Sequence, residues 1–357
     1  MKKFLIFVLF FIMLLNVSCS KETVAPPIEQ ETPVPIEDPE EIIGIEEIEE
    51  AENENEGKII SPLDGLKYYP EELNKRPVAL SLDNHPKARW QAGLKDAEIV
   101  YEFEVEHPYT RYLAVFLAKE PEMVGPIRSA RPYIIYYALE NDALFVHVGG
   151  SEDAFAEIRR LNAADIDGLY SSAMWRYNDT GKYAPHNMYT TLKSIRNEAA
   201  KRGYVSTEGD FEKYDFNEKP TKLSEKYESN LAKKINITYN KDNSSNYVYD
   251  EELSFYLRFK DKEKHIDELD KSQLKTKNII VLEAPKSVLD NEGRLYLETI
   301  GTGNGIYFTE GEAINITWKK DSEWERTKFY INNELLNLNP GNTWIQIVDS
   351  LNIVTSE

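Results

Sequence analysis

Cysteine is nearly missing from this chain: Cys19 is the only one. A lone cysteine excludes disulfides, a catalytic thiol and every zinc site built on thiolates, so stability must come from burial alone. Long hydrophobic runs are also missing, since the longest, Phe4 to Leu15, is too short to span a bilayer. No stretch forms a basic stripe in a chain of net charge −20, which makes nucleic acid a poor partner. No G-x-S-x-G, H-E-x-x-H or P-loop pattern occurs. Gly301-Thr302-Gly303-Asn304-Gly305 comes nearest to a nucleotide loop. A dinucleotide loop must feed a helix, however, and here a strand follows, so a glycine-rich hairpin is the better account.

What is present begins with an export signal. Met1-Lys2-Lys3 precedes the apolar run, and small residues lead into Val17-Ser18-Cys19. This resembles a bacterial lipoprotein signal, in which Cys19 is lipidated and becomes the mature N-terminus. Leu15 stands one place upstream of the usual leucine. The implied location is the extracytoplasmic face of the cell membrane, with the membrane as partner through the lipid. Residues 20–58 then hold 14 acidic residues against two lysines. Such a segment repels itself and cannot bury a core. It reads as a solvated tether that reaches roughly 35 Å as a coil. The remaining residues, about 300, suffice for two segments that each bury an interior, 59–205 and 235–357, joined by a connector at 206–234.

The first segment is organised around Val124 to Asp153. Gly125-Pro126 reads as a turn, and Pro132 suits the first turn of a helix over Tyr133 to Leu139. Leu144 to Val148 reads as a buried strand, and Ser151 as the N-cap of a helix from Glu152 to Leu161. Upstream, Val78 to Leu82 is a short strand, while Ile99 to Val105 and Arg111 to Ala118 form a hairpin. One face of that hairpin carries Glu102, Glu104 and Glu106. Asp165 to Gly181 is long for a plain connection, so it is a functional loop or an insertion packed by Trp175 and Tyr177. Thr190 or Thr191 caps a helix through Lys201, with Leu192, Ile195 and Ala199 inward and Gly203 as terminator.

From Ile235 the apolar period becomes two, and turn signals separate strands at Ser254–Phe259, Asn278–Leu282, Ala313–Trp318, Lys328–Ile331 and Trp344–Val348. The expected class is α+β: a mixed sheet with packed helices, followed by a mainly antiparallel β-rich segment. Trp318, Trp324 and Trp344 are expected in the core or on a sheet face, with a sugar platform as the alternative.

The order R-P-V-A-L-S-L-D-N, A-R-W-Q-A-G-L, A-E-I-V-Y-E, T-R-Y-L-A-V-F, V-G-P-I-R-S-A-R-P, H-V-G-G-S and A-P-H-N-M-Y-T resembles the YerB-like lipoproteins of Gram-positive bacteria. G-R-L-Y, G-T-G-N-G-I-Y-F and L-N-P-G-N-T-W-I-Q-I-V extend the likeness through the second segment. The resemblance implies a membrane-anchored lipoprotein of mixed α and β structure with no established reaction. Two departures are His107-Pro108 where the family has glycines, and Trp90 where it has proline.

Chemistry-bearing residues gather in the first segment. Arg128 and Arg131 flank the N-terminus of the Pro132 helix, where the helix dipole favours negative charge. Each therefore needs an anion, either a hairpin carboxylate or a ligand. Four of the five histidines, His85, His107, His147 and His186, lie here, but their spacings follow no metal signature, so neither metal nor cofactor is expected. His147 stands out because ligand crevices form at strand ends in sheets flanked by helices. Capping suffices to explain Ser151. Three functions follow from these residues. One is an envelope binding or accessory protein whose Arg111, Arg128, Arg131, His147 and His186 line a cleft for an anionic small molecule or envelope component. Another is a wall- or lipid-acting enzyme that uses a His/Glu acid–base pair. The third is a protein–protein adaptor at the membrane.

Overall fold

A computed structural model describes residues 55–204 and 213–357. The signal, Cys19 and most of the tether lie outside the described residues. The fold is α+β. In the first segment β1 (Val78–Asp83) pairs antiparallel with β3 (Thr110–Phe116), which pairs antiparallel with β2 (Ile99–Glu104). Helix α1 (Pro132–Leu139) opens on its proline. It leads into β4 (Leu144–His147), which runs parallel to β1. Ser151 Oγ caps α2 (Glu152–Arg160) by accepting from the Ala154 amide at 3.2 Å, and β5 (Asp165–Asp167) follows, parallel to β4. One sheet face packs Phe103, Leu113 and Phe145 against Tyr133, Ile134 and Tyr137 of α1. The other packs Leu80, Tyr112, Ala114 and Val146 against Leu192, Ile195 and Ala199 of a third helix.

The stretch 165–181 meets the packing expectation in part: Tyr177 sits edge-on against the buried Tyr189 at 5.4 Å. β6 (Met174–Arg176) pairs with β7 (Met188–Thr190), and Met174 supplies the buried contact while Trp175 stands 37% exposed. A three-residue strand covers one face only, and here that face carries Met174. Helix α3 (Leu192–Arg202) starts at Thr191, whose Oγ1 accepts from the Ser194 amide at 3.1 Å, and stops at Gly203 with φ +77°.

The second segment supplies two sheets. β8 (Lys234–Asn240), β9 (Asn243–Asp250) and β10 (Phe255–Lys260) form the centre of a six-stranded sheet. The inward residues Ile235, Ile237, Tyr247 and Tyr256 pack on Ile279, Val281 and Phe308. Those three belong to β11 (Asn278–Glu283) and β12 (Gly301–Thr309), which continue as β13 (Glu312–Lys320) and β14 (Lys328–Ile331). The glycine-rich stretch is the body of β12, not its turn. A Cβ on Gly303 would lie 2.5 Å from the Trp318 indole nitrogen. Trp318 and Trp344 are buried, whereas Trp324 is 44% exposed on a loop.

One strand departs from the antiparallel expectation and joins the segments. β15 (Thr343–Val348) runs parallel to β11 on one side and to β2 on the other. All six of its residues are buried, as suits a parallel strand covered on both faces; four are apolar, and Gln346 is satisfied by donating to the Tyr247 hydroxyl at 3.0 Å. The result is a single 12-stranded sheet through both segments. The connector takes part as well, with Tyr214 and Leu223 in the shared core.

Polar side chains lock this junction. Glu102 of β2 is fully buried and accepts from Arg258 Nη2 at 2.5 Å, Thr110 Oγ1 at 2.7 Å, Ser245 Oγ at 2.8 Å and Lys260 Nζ at 3.1 Å. The Arg258 guanidinium lies 4.0 Å over the Trp344 ring of β15. A second buried pair, Lys320 Nζ to Glu140 Oε2 at 2.8 Å, ties β13 to the end of α1.

Burial alone would raise the Glu102 carboxyl, but the Lys260 and Arg258 cations overturn this and hold it at about 2. A depressed carboxyl contributes stability above its unfolded value, and that stability is lost as pH falls through the folded one. The window therefore runs from about 4.3 down to about 2 and is worth ~3 kcal/mol. Glu102→Gln leaves two buried cations without their anion and is expected to cost about 3–5 kcal/mol, read as a lower urea midpoint at pH 7. The variant should also lose most of the acid slope in that window. An unchanged slope would show that Glu102 is not the group being titrated.

Candidate functional site

The candidate site lies where β1 outruns β4. Beyond Leu80, β1 has no β4 partner, and residues 126–128 take that place: the Asp83 amide donates to Pro126 O at 2.8 Å and the Arg128 amide to Ser81 O at 2.7 Å. The same stretch bonds β7 through Ile127 N to Met188 O at 2.7 Å. Gly125 is required there, since a Cβ would sit 2.6 Å from the Tyr189 ring. The loop before β7 is held by buried Lys182, whose ammonium reaches Trp90 O and Glu268 Oε1, both at 2.6 Å, and the Tyr189 hydroxyl at 2.9 Å. These connections bring His186 to the end of β1.

Asp83, the last residue of β1, is 4% exposed and is the hub. Its Oδ1 accepts from the His85 amide at 3.0 Å, and its Oδ2 accepts from His186 Nδ1 at 2.8 Å. Arg128 Nε stands 3.5 Å from Oδ2. The His85 and His186 rings stack at 4.4 Å, and Tyr109 from the hairpin tip tilts on His85 at 4.5 Å. His85 Nδ1 accepts from the Lys87 amide at 3.1 Å, which places the proton on Nε2. Burial and then the neighbouring His186 push the His85 pKa down, so this ring is neutral at pH 7. Beside His186 lies a 420 Å³ cavity whose lining also includes Lys87 and Tyr183.

The arginines divide into two kinds. Arg131 is committed: its Nε donates to Glu106 Oε1 at 2.7 Å and its Nη1 to Ala130 O at 2.7 Å. Arg111, the cross-strand partner of Asp83, is buried with Nη1 on Ser129 O at 2.9 Å and no partner for Nε. Burial and then Arg131 bring its pKa down to about 10. Arg128 is different. Its side chain is 29% exposed, and beyond the 3.5 Å ion pair its guanidinium makes no hydrogen bond to a described residue. Arg176 of β6 adds a fourth cation, resting on Pro185 O at 3.3 Å and Asn187 Oδ1 at 3.2 Å. Its pKa is lowered by burial and then by the charge of Arg128.

Of the five residues expected to line the cleft, Arg111, Arg128 and His186 meet at Asp83, with Arg131 adjacent but paired. His147 does not belong. It is fully buried, with Nδ1 on Gly149 O at 2.8 Å, Nε2 on Asp165 Oδ2 at 3.2 Å, and its ring 5.0 Å from Phe145. The parallel neighbour β5 closes the strand end that was expected to be open. His107 is exposed on the hairpin. Sequence reasoning missed Arg176 and Tyr109; the short alternation Met-Trp-Arg opposite Met-Tyr-Thr was the available signal for the first. Among the described residues no group of three or more His, Cys, Asp or Glu is placed to hold a metal ion.

The fold and site describe an α+β protein whose open cations and paired histidine meet at a strand end. Residues 63–205 match the N-terminal domain, and 235–345 the C-terminal domain, of a protein of unknown function, DUF3048. The chain is 34% identical over 311 residues to YerB of Bacillus subtilis (strain 168), whose name proposes it as a lipoprotein, covering 82% of this chain and 87% of that one. The crystal structure of the YerB protein from Bacillus subtilis aligns with a TM-score of 0.76 at 31% identity, over 84% of this chain and 100% of that one. The chain belongs to the YerB-like, DUF3048 family.

The contrast between the arginines is measurable. Arg131→Ala leaves Glu106 unpaired at a part-buried site and is expected to cost about 2 kcal/mol. Arg128→Ala breaks no hydrogen bond and should stay within about 0.5 kcal/mol of the parent. Chemical denaturation of both would refute the division if the losses were equal.

Proposed function

We propose that this protein is a lipoprotein held through Cys19 at the extracytoplasmic face of the membrane, where it binds an anionic small molecule or envelope component in the Asp83–His186 cleft. The observation that carries the binding reading is Arg128, a half-buried guanidinium with open N–H groups next to a second cation, Arg176, in a chain of net charge −20. Internal pairing satisfies Arg131 but not Arg128, and an anion would satisfy it through charge-assisted hydrogen bonds. The lipoprotein reading is supported by the signal ending at Cys19 and by the relative's name.

The hairpin carboxylates have other work. Glu102 pairs with Arg258 and Lys260, Glu104 with Lys286 at 2.7 Å, and Glu106 with Arg131. An acid–base pair drawn from these glutamates and a histidine therefore lacks support; the carboxylates beside histidines are Asp83 and Asp165.

Thermal melts of the full chain in phosphate, sulfate or a carboxylate compound test the cleft. At about 100 times its dissociation constant a bound anion adds ~2.7 kcal/mol, which should raise the midpoint by roughly 5 °C or more. Arg128→Ala should abolish the rise. An equal rise in that variant would place the anion elsewhere. Separately, Cys19→Ala is expected to move the protein from the membrane pellet to the soluble fraction, and retention after a salt wash would exclude the anchor.

A further inference from the structure

Two Asp–His pairs occur in the first segment, and they differ in one respect. In the His147–Asp165 pair both ring nitrogens are occupied and the ring is sealed. In the His186–Asp83 pair only Nδ1 is occupied, at 2.8 Å. A carboxylate can only accept, so Nδ1 carries a proton, and in the neutral ring the lone pair is on Nε2. Nε2 makes no hydrogen bond to a described residue, and the ring lines the 420 Å³ cavity. Asp83 cannot swing away, because the His85 amide fixes its other oxygen at 3.0 Å. This is the arrangement in which a carboxylate orients a histidine as a general base.

The surroundings select the substrate class. His85 offers Nε2–H, since its Nδ1 accepts from Lys87 N, and Arg128 offers unfilled guanidinium N–H groups. Arg176 adds positive charge nearby, and Lys87, an exposed residue, lines the cavity. His85 stacks on His186 at 4.4 Å, and Arg128 shares Asp83 Oδ2 with His186. Donors and cations flanking the base in this way suit a group with permanent negative charge and non-bridging oxygens. We propose that the cleft hydrolyses phosphodiesters, with His186 as general base and Asp83 as its positioning residue. This rests on the reading of the cleft as an anion site.

In the reaction a water molecule entering the cavity attacks phosphorus, and its proton passes to His186 Nε2 as the new P–O bond forms. Arg128 and His85 Nε2–H hold the non-bridging oxygens, where charge accumulates. The P–O bond to the leaving alcohol breaks with its electron pair on oxygen, and the Lys87 ammonium protonates that oxygen. The products are a phosphomonoester and an alcohol. His186 then loses its proton to solvent, Lys87 regains one, and nothing is oxidised or reduced.

The test uses the full chain with bis(4-nitrophenyl) phosphate, following release of 4-nitrophenol, alongside melts in phosphate. The parent should release product above the buffer rate, and His186→Gln should reduce kcat at least ~100-fold. Asp83→Asn should also reduce kcat with little change in KM, because an amide donor facing Nδ1 moves the proton to Nε2. His107→Gln, on the exposed hairpin tip, should leave the rate unchanged. Release that persists in His186→Gln overturns the proposal. So does the absence of release from a parent protein that phosphate still stabilises, and that result leaves the binding reading standing. Neither release nor stabilisation would end both.

Discussion

The buried carboxylate of Glu102 is the contact on which the molecule's unity depends. It sits on a strand of the first segment, yet its partners Ser245, Arg258 and Lys260 come from the second. A carboxylate taken out of water is tolerated only when cations and hydroxyls replace its hydration, and here two of each do so. Removing the second segment would leave an unpaired charge inside the first, and the reverse holds for Arg258. Apolar contacts around β15 supply the larger share of the burial energy, because all six of its residues are enclosed. Ion pairs are demanding about geometry where apolar contacts are not. The Glu102 cluster therefore fixes how the smaller sheet is set against the larger one.

That placement reaches the cleft. Glu268 belongs to the second segment, and it holds Lys182, which anchors the loop that presents His186. The other wall is the end of β1, set by its pairing with β3 and by residues 126–128 beyond the end of β4. His186 is thus positioned from both segments, although every residue of the cleft itself lies in the first. A site arranged this way is sensitive to the junction even where no junction residue touches it.

The distribution of cations follows the same logic. Arg131, Lys260 and Lys320 meet carboxylates of the chain at short range and serve the fold. Arg128 reaches only Asp83, which His186 already engages, Arg176 makes no ion pair with a described residue, and the charge of Arg128 is felt by Arg176. Repulsion of this kind costs stability and would be relieved by an anion from outside, which is why the cleft and not the hairpin carries the proposed function.

Much of the fold was legible in the sequence. Pro132, Ser151, Thr191 and Gly203 mark helix ends through local backbone chemistry, and period-two alternation marked the strands of the smaller sheet. Local signals of that kind do not depend on what lies across the molecule. The α+β class followed from them, whereas Arg131, expected in the cleft, is taken up by Glu106. Tertiary structure alone decided the rest. The run from Thr343 to Val348 has no alternation to say which strands flank it, so its two parallel neighbours could not be read. His147 and His186 each look like a histidine near a turn. Whether a ring nitrogen stays open depends on which strand passes beside it, and β5 closes one while the cavity leaves the other free. Asp83 became the hub because chain segments a hundred residues apart converge on its two oxygens, a fact of packing that no local pattern encodes.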